Sequence, residues 1–202
     1  MSKIDTLIFS PHIDDEILGC YAWLKPGTMV LIAGVENRPS IPKTTRISEV
    51  NAACERLGFE WQLLDNPVNQ YQSSELIAPF EAAINDLQPL TVLIPEPSYN
   101  QDHRAVYDAA IVATRPHDSN WFVNKVLIFE QPHSVMWPHS PQPEPNYFVD
   151  INIDDKLDIY ALYASQIRGH RSPATVRAIA QLRGSQINAV SAEAFYVKRM
   201  VG

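Results

Sequence analysis

Short, near-continuous apolar runs that alternate with segments of helical spacing most constrain what this 202-residue chain can fold into. Residues 5–10 (DTLIFS), 28–35 (TMVLIAGV), 90–95 (LTVLIP) and 124–130 (NKVLIFE) are apolar almost throughout. Such runs are the mark of parallel strands covered on both faces. A weaker strand is predicted at 60–64, and two more at 147–151 and 194–200. Apolar residues recur at helical spacing over 14–24, 44–57, 73–87, 103–114, 154–167 and 173–182. Gly58 stops the second helix and Pro89 closes the third. Repeated strand–helix units imply an α/β fold with a mostly parallel sheet and right-handed crossovers. No repeat, low-complexity tract or linker divides the chain, so one domain over residues 1–202 is expected. Its length is enough for one closed core.

In open α/β sheets ligands bind outside the carboxyl ends of the strands. Two polar clusters stand at such ends. The first is Ser10-Pro11-His12-Ile13-Asp14-Asp15-Glu16, after the first strand. Its acids could be helix caps, worth roughly 0.5–2 kcal/mol. Capping does not explain the histidine beside them. His12 and Asp15 are three positions apart across a turn, so both can converge on one ion. Imidazole plus carboxylate suits zinc with a position left open for water. Asp14, pointing elsewhere, then suits a base acting on that water.

The second cluster, Asn100-Gln101-Asp102-His103-Arg104, follows the strand LTVLIP. His103 is a candidate third ligand and Asp102 a candidate for orienting a ligand. Alone, this pair reads as a capped helix with an exposed histidine. Beside the first cluster it reads as the other half of a metal site.

These residues resemble a known family. PHIDDE is similar to the first motif of the PIG-L/LmbE-like N-acetylglucosaminyl deacetylases, and NQDHRAVYDAA to their second, usually HxDHxAV. Arg46 and Glu49 with Ala52, Ala53, Leu57 and Gly58 resemble the family's RxxE helix. Ser165-Gln166, Arg183-Gly184 and Ala192-Glu193-Ala194-Phe195 resemble its C-terminal pattern. The resemblance implies a Rossmann-like three-layer fold, LmbE-like, with one catalytic Zn2+ per chain. It implies His12, Asp15 and His103 as ligands, Asp14 as general base and acid on the leaving amine, and Arg46 near the substrate. The implied substrate is a small N-acetylated sugar or glycoconjugate. Family members form various oligomers, and nothing in the sequence selects between a monomer and a homo-oligomer.

Two departures stand out. Asn100 replaces the usual histidine, which leaves oxyanion stabilisation short of a charged donor. The glycine-rich turn after the first motif is reduced to Gly19, which alters packing more than chemistry. Residues 131–145 carry five prolines, two histidines and Trp137 with no apolar period, and read as a long surface loop. If that loop folds over the crevice, His133 is the candidate for the missing donor and for substrate contact. His139 is the other histidine of the loop. Competing readings are a zinc amidase for another small N-acyl compound, a family member that binds sugar or metal with weakened turnover, and a non-catalytic nucleotide-binding domain. No GxGxxG or GxxxxGK[ST] loop supports the last.

Composition excludes other classes. A formal charge of -7 argues against a nucleic-acid surface. The C-terminal basic residues, among them Arg168, Arg171, Arg177 and Arg183, read as solvated helix faces. No apolar stretch reaches membrane-spanning length, and none near the start suits a signal peptide, so no membrane insertion is expected. Cys20 and Cys54 sit in apolar helical patterns and read as free thiols. A reduced, cytoplasmic setting follows as the expectation.

Overall fold

The computed structural model describes residues 3–138 and 144–202. In chain order the elements are β1 (Thr6–Ser10), α1 (Asp15–Cys20), β2 (Thr28–Ile32), α2 (Lys43–Leu57), β3 (Glu60–Leu63), α3 (Ser73–Leu87), β4 (Thr91–Pro95), α4 (Gln101–Ala113), β5 (Lys125–Phe129), α5 (Pro132–Met136), β6 (Tyr147–Asp150), α6 (Ile153–Tyr160), α7 (Pro173–Ser185) and β7 (Ala192–Met200). Short 3-10 turns occupy Tyr21–Trp23, Ala164–Gln166 and Gly169–Arg171. Among the described residues the strands form one seven-stranded sheet ordered β3-β2-β1-β4-β5-β7-β6. The first five run parallel. β7 then turns back against β5 and pairs antiparallel with β6. The fold is α/β with a mostly parallel sheet and helices on both faces, as the alternation of patterns predicts.

The apolar runs show why. Successive side chains of a strand point to opposite faces. Ile8, Leu93, Leu127 and Phe129 enter the core beneath α1, α2, α6 and α7, with Ile17, Val50, Tyr160 and Val176. Leu7, Phe9, Val92, Ile94 and Val126 enter the opposite core beneath α3 and α4, with Phe80, Ile84, Val106 and Ala110. A strand buried twice is apolar at most positions, with polar residues such as Thr6, Ser10, Thr28 and Thr91 only at its ends. Gly58, at φ 80, ends α2 in the left-handed conformation that glycine tolerates.

Strand order reverses beside β1, which lies between β2 and β4. This is the switch point where the crevice of such a sheet opens. Both polar clusters leave the sheet there, one after β1 and one after β4.

The structure corrects the reading in three places. The segment after β5 is not a plain surface loop: α5 folds back over the crevice, and Pro132 and Ser134 are buried. His139 lies outside the described residues. The helix predicted over 154–167 ends at Tyr160, and the chain continues into 3-10 turns. The C-terminal basic residues are not all solvated faces: Arg171 pairs with Asp14 and Arg183 with Glu130.

Gly19 has a packing role. A Cβ there would stand 2.5 Å from the Phe129 ring and 2.7 Å from the Glu130 carbonyl. Helix α1 can therefore lie against the end of β5 only without a side chain at this point. Glu193 on β7 ties the same region together. Its carboxylate accepts from the backbone N–H groups of Tyr21 and Ala22, each at 2.9 Å, and from Lys156 at 2.7 Å.

Helix α5 is anchored by Glu96, the residue after β4. Its carboxylate accepts from the Gln131 N–H at 3.0 Å, and Glu96 is only 1% exposed. Burial, with the nearby Glu130 charge, pushes the Glu96 carboxyl up to about 7. Between the ordinary carboxylate range and pH 7 the folded chain thus keeps a proton that the unfolded chain has released. Stability must fall as pH rises through that window. In Glu96→Gln this contribution vanishes while the acceptor oxygen remains. The loss of unfolding free energy from pH 5 to 7.5, read by denaturant titration, should shrink by about 1–3 kcal/mol relative to wild type.

Candidate metal and catalytic site

The turn after β1 is held in an unusual shape. Asp14 adopts φ 103, a left-handed conformation that costs a non-glycine residue about 1–3 kcal/mol. Glu16 braces it: its carboxylate accepts from the Asp14 N–H at 3.0 Å and from the Tyr163 hydroxyl at 2.8 Å. Asp14 heads α1 yet makes no side-chain cap. The capping explanation of these acids therefore fails, and the turn instead aims neighbouring carboxylates at different partners.

Asp15 faces the crevice. Its Oδ2 lies 3.2 Å from His12 Nδ1 and 3.3 Å from His103 Nε2. The three candidate ligand atoms all fall within 4.8 Å of one another. For metal–ligand bonds of about 2.0 Å, the corners of a tetrahedron stand about 3.3 Å apart, which the two separations from Asp15 match. The opposite ring nitrogen of His12 lies 3.0 Å from Asp102 Oδ2, which also accepts from the Asn69 N–H at 2.7 Å. A histidine that donates one N–H to a carboxylate while its other nitrogen faces a metal position is a recurrent zinc arrangement.

The electrostatics point the same way. Burial alone would lower the His12 pKa, but Asp102 and Asp15 outweigh it and raise it to about 9. Burial would raise the Asp15 carboxyl, yet the His103 and His12 imidazoles hold it well below the usual carboxylate range. A site that keeps Asp15 ionised and draws a proton onto His12 is one that suits a cation.

Asp14 is gripped from both sides. Arg46 Nη2 donates to its Oδ1 at 3.1 Å, and Arg171 Nη1 donates to its Oδ2 at 2.7 Å. Arg46 also donates to the Ile13 carbonyl and stands 3.8 Å from Glu49. Arg46 thus approaches Glu49, but this buried arginine chiefly holds Asp14. Burial pushes the Asp14 carboxyl up, against the pull of the two arginines.

Asn100 is the N-cap of α4, its Oδ1 accepting from the Asp102 N–H at 2.9 Å. Only its amide nitrogen remains to donate toward a ligand. Asp102, the candidate for orienting a ligand, is fully buried beneath His12, and His103 is 2% exposed; neither is the surface residue of a simple capped helix. His133 on α5 stacks edge-on against His103, ring centroids 4.9 Å apart, and against Tyr99 at 5.3 Å. Burial, with repulsion from His103, lowers the His133 pKa to about 3, so its imidazole is neutral. Its buried Nε2 has no hydrogen-bond partner among the described residues.

Seven of the candidate site residues line one crevice, and Asp102 lies behind His12; the structure adds others. Arg171 and Arg168 enter from the segment after α6, and Tyr99 from the loop after β4. Gln131 donates to the Asp15 carbonyl at 2.9 Å. The sequence signal for the arginines was the short Ile-Arg-Gly-His-Arg-Ser-Pro stretch, whose glycine and proline mark a turn and not a helix face. Cys20 and Cys54 are free, as expected.

The family model for GlcNAc-PI de-N-acetylase, PIG-L, matches residues 7–114, more than half of the chain and both polar clusters. No curated protein sequence matches. The fold is similar to the conserved protein TT1542 from Thermus thermophilus, at 22% identity and a TM-score of 0.78 over 98% of this chain and 96% of that one. It is also similar to N,N'-diacetylchitobiose deacetylase from Pyrococcus horikoshii, at 19% identity and 0.76 over 95% and 82%. The A40926 pseudoaglycone deacetylase Dbv21 matches at 17% identity and 0.72 over the whole of both chains. At these identities the structures establish the shared fold, and the family match carries the relationship: the chain belongs to the PIG-L family of N-deacetylases.

Proposed function

We propose that this protein is a zinc-dependent hydrolase that removes the acetyl group from an N-acetylglucosamine-type sugar or its conjugate. The observation that carries the reading is the pair of imidazole nitrogens 3.2 and 3.3 Å from one oxygen of Asp15, with Asp14 beside it. His12, Asp15 and His103 would hold the ion. When bound, it polarises the acetyl carbonyl and lowers the pKa of water toward ~7.

The chain's own residues do the rest. Asp14 takes a proton from the attacking water and passes it to the amide nitrogen as the C–N bond breaks, so that acetate and a free amine leave. Arg46 and Arg171 fix that carboxylate in place. Asp102 orients His12 and keeps its Nε2 protonated. Neutral His133 presents an N–H toward the negative charge that develops on the acetyl oxygen, joined by the amide nitrogen of Asn100. This replaces the donor that the usual histidine would give. The crevice, about 290 Å³, has room for a monosaccharide unit. Among the described residues no helix is long and apolar enough to cross a membrane. Two free thiols fit a reducing, cytoplasmic compartment.

Purified protein should carry about one zinc per chain by mass spectrometry of the metal, and His12→Ala or His103→Ala should lose it while circular dichroism stays native. Asp14→Asn should keep the metal and release acetate from N-acetylglucosamine derivatives about 10²–10⁴ times more slowly. Turnover at the wild-type rate in Asp14→Asn would remove this residue from the mechanism.

A further inference from the structure

The three candidate ligands are not equally confined. The His12 side chain is 16% exposed, against 4% for Asp15 and 2% for His103. Asp102 aims the His12 ring by one nitrogen, but it does not fix the backbone that carries the ring. A ligand free to swing weakens a metal site, because its order is lost or gained with the ion.

A loop that supplies no ligand stands against His12. Residues 64–72 connect β3 to α3. The Asn66 N–H and Nδ2 both donate to the Ala33 carbonyl just after β2, at 2.9 and 2.8 Å. Gln101 Nε2, at the start of α4, donates to Asn69 Oδ1 at 3.1 Å. Asn69 itself sits at φ 69, a left-handed conformation that Asn tolerates better than most residues. Its N–H is the donor that holds Asp102.

Tyr71 brings this loop to the turn after β1. Its hydroxyl donates to the buried Pro11 carbonyl at 3.1 Å, one residue before His12. The other donor to that carbonyl among the described residues is the Gly34 N–H, at a longer 3.3 Å. The Tyr71 ring lies 5.8 Å from the His12 ring, centroid to centroid. Tyr71 is 7% exposed and belongs to the core with Leu76 and Phe80. Packing there asks only for a ring, and a buried hydroxyl is unfavourable without a partner. The fold also makes room for it: a Cβ at Gly34 would collide with the Tyr71 hydroxyl and the Asn66 carbonyl. Burial, with the Asp102 and Asp15 charges, pushes the phenol up, so it stays a donor.

We propose that Tyr71 is a positioning residue for the metal site, fixing His12 through the Pro11 carbonyl and through contact with its ring. The same loop holds Asp102, so His12 is steadied from its backbone and from its far nitrogen at once. This rests on the metal reading above and adds a residue from outside both motifs.

The test compares Tyr71→Phe, which keeps the ring and removes the donor, with Tyr71→Leu, which removes both. In chelator competition the zinc Kd should rise about tenfold in Tyr71→Phe and further in Tyr71→Leu. The visible absorption bands of the cobalt-loaded protein should shift, while metal-free Tyr71→Phe melts within about 4 °C of wild type. Val126→Ala, in the same core but on β5, should lower the melting temperature and leave the zinc Kd unchanged. Wild-type zinc Kd and cobalt bands in Tyr71→Phe, or equal zinc weakening in Val126→Ala, would overturn the proposal. If the wild type binds neither zinc nor cobalt, the metal reading has failed and the metal-free protein decides. Solvent exchange of the His12 Nε2 proton, followed by NMR, should then be several times faster in Tyr71→Phe. Equal exchange rates would show that Tyr71 does not steady His12.

Discussion

The carboxylate of Asp15 stands at the end of the central strand, out of water, with an imidazole on either side. An ionised acid in that position is costly unless positive charge or donors surround it. Four such acids, Asp14, Asp15, Glu16 and Asp102, are buried within one small volume, and each has its own compensation. Glu16 has Tyr163 and a backbone N–H, Asp14 has two guanidinium groups, and Asp102 has His12 and Asn69. Asp15 has the two imidazoles, a backbone N–H of His12 at 3.0 Å, and the place for a cation between them. The division of labour among adjacent acids follows from the left-handed turn at Asp14, which sends the two side chains to opposite partners.

The scaffold serves that arrangement. The switch point of the sheet lets loops from β1 and β4, nearly ninety positions apart in sequence, bring His12, Asp15 and His103 to one point. The C-terminal residues that resemble the family pattern are mostly structural. Arg183 makes a two-pronged pair with Glu130, and Gly184 lies so close to Ser191 that a Cβ would stand 2.6 Å from its nitrogen. Glu193 holds the turn after α1. Together they seat β7, α7 and α1 around β5, and so fix where α5 begins. Gln131, just before α5, then touches both Glu96 and the Asp15 carbonyl, joining the frame to the candidate metal site.

Much of this was legible in the sequence. The parallel strands were, because double burial demands apolar residues at most positions and leaves an unmistakable run. The meeting of His12, Asp15 and His103 was, because they occur at strand ends where an α/β sheet exposes its chemistry. What stayed hidden depends on tertiary contact. Helix α5 has no apolar period because it is only five residues long and is anchored by polar bonds to Gln131. Arg171 looked like one basic residue among several, since nothing local says that a turn will carry it to Asp14. Asn100 looked like a substituted catalytic residue, and its oxygen proves to be a helix cap. An acceptor taken up by the backbone is visible only once the helix start is known.

The central claim is that two imidazoles and one carboxylate hold a single ion. A crystal of the zinc-loaded protein measured on both sides of the zinc absorption edge tests it most directly. The account predicts one anomalous peak, about 2.0–2.2 Å from His12 Nδ1, Asp15 Oδ2 and His103 Nε2. A peak bound through other residues, or none in a metal-loaded crystal, would contradict it.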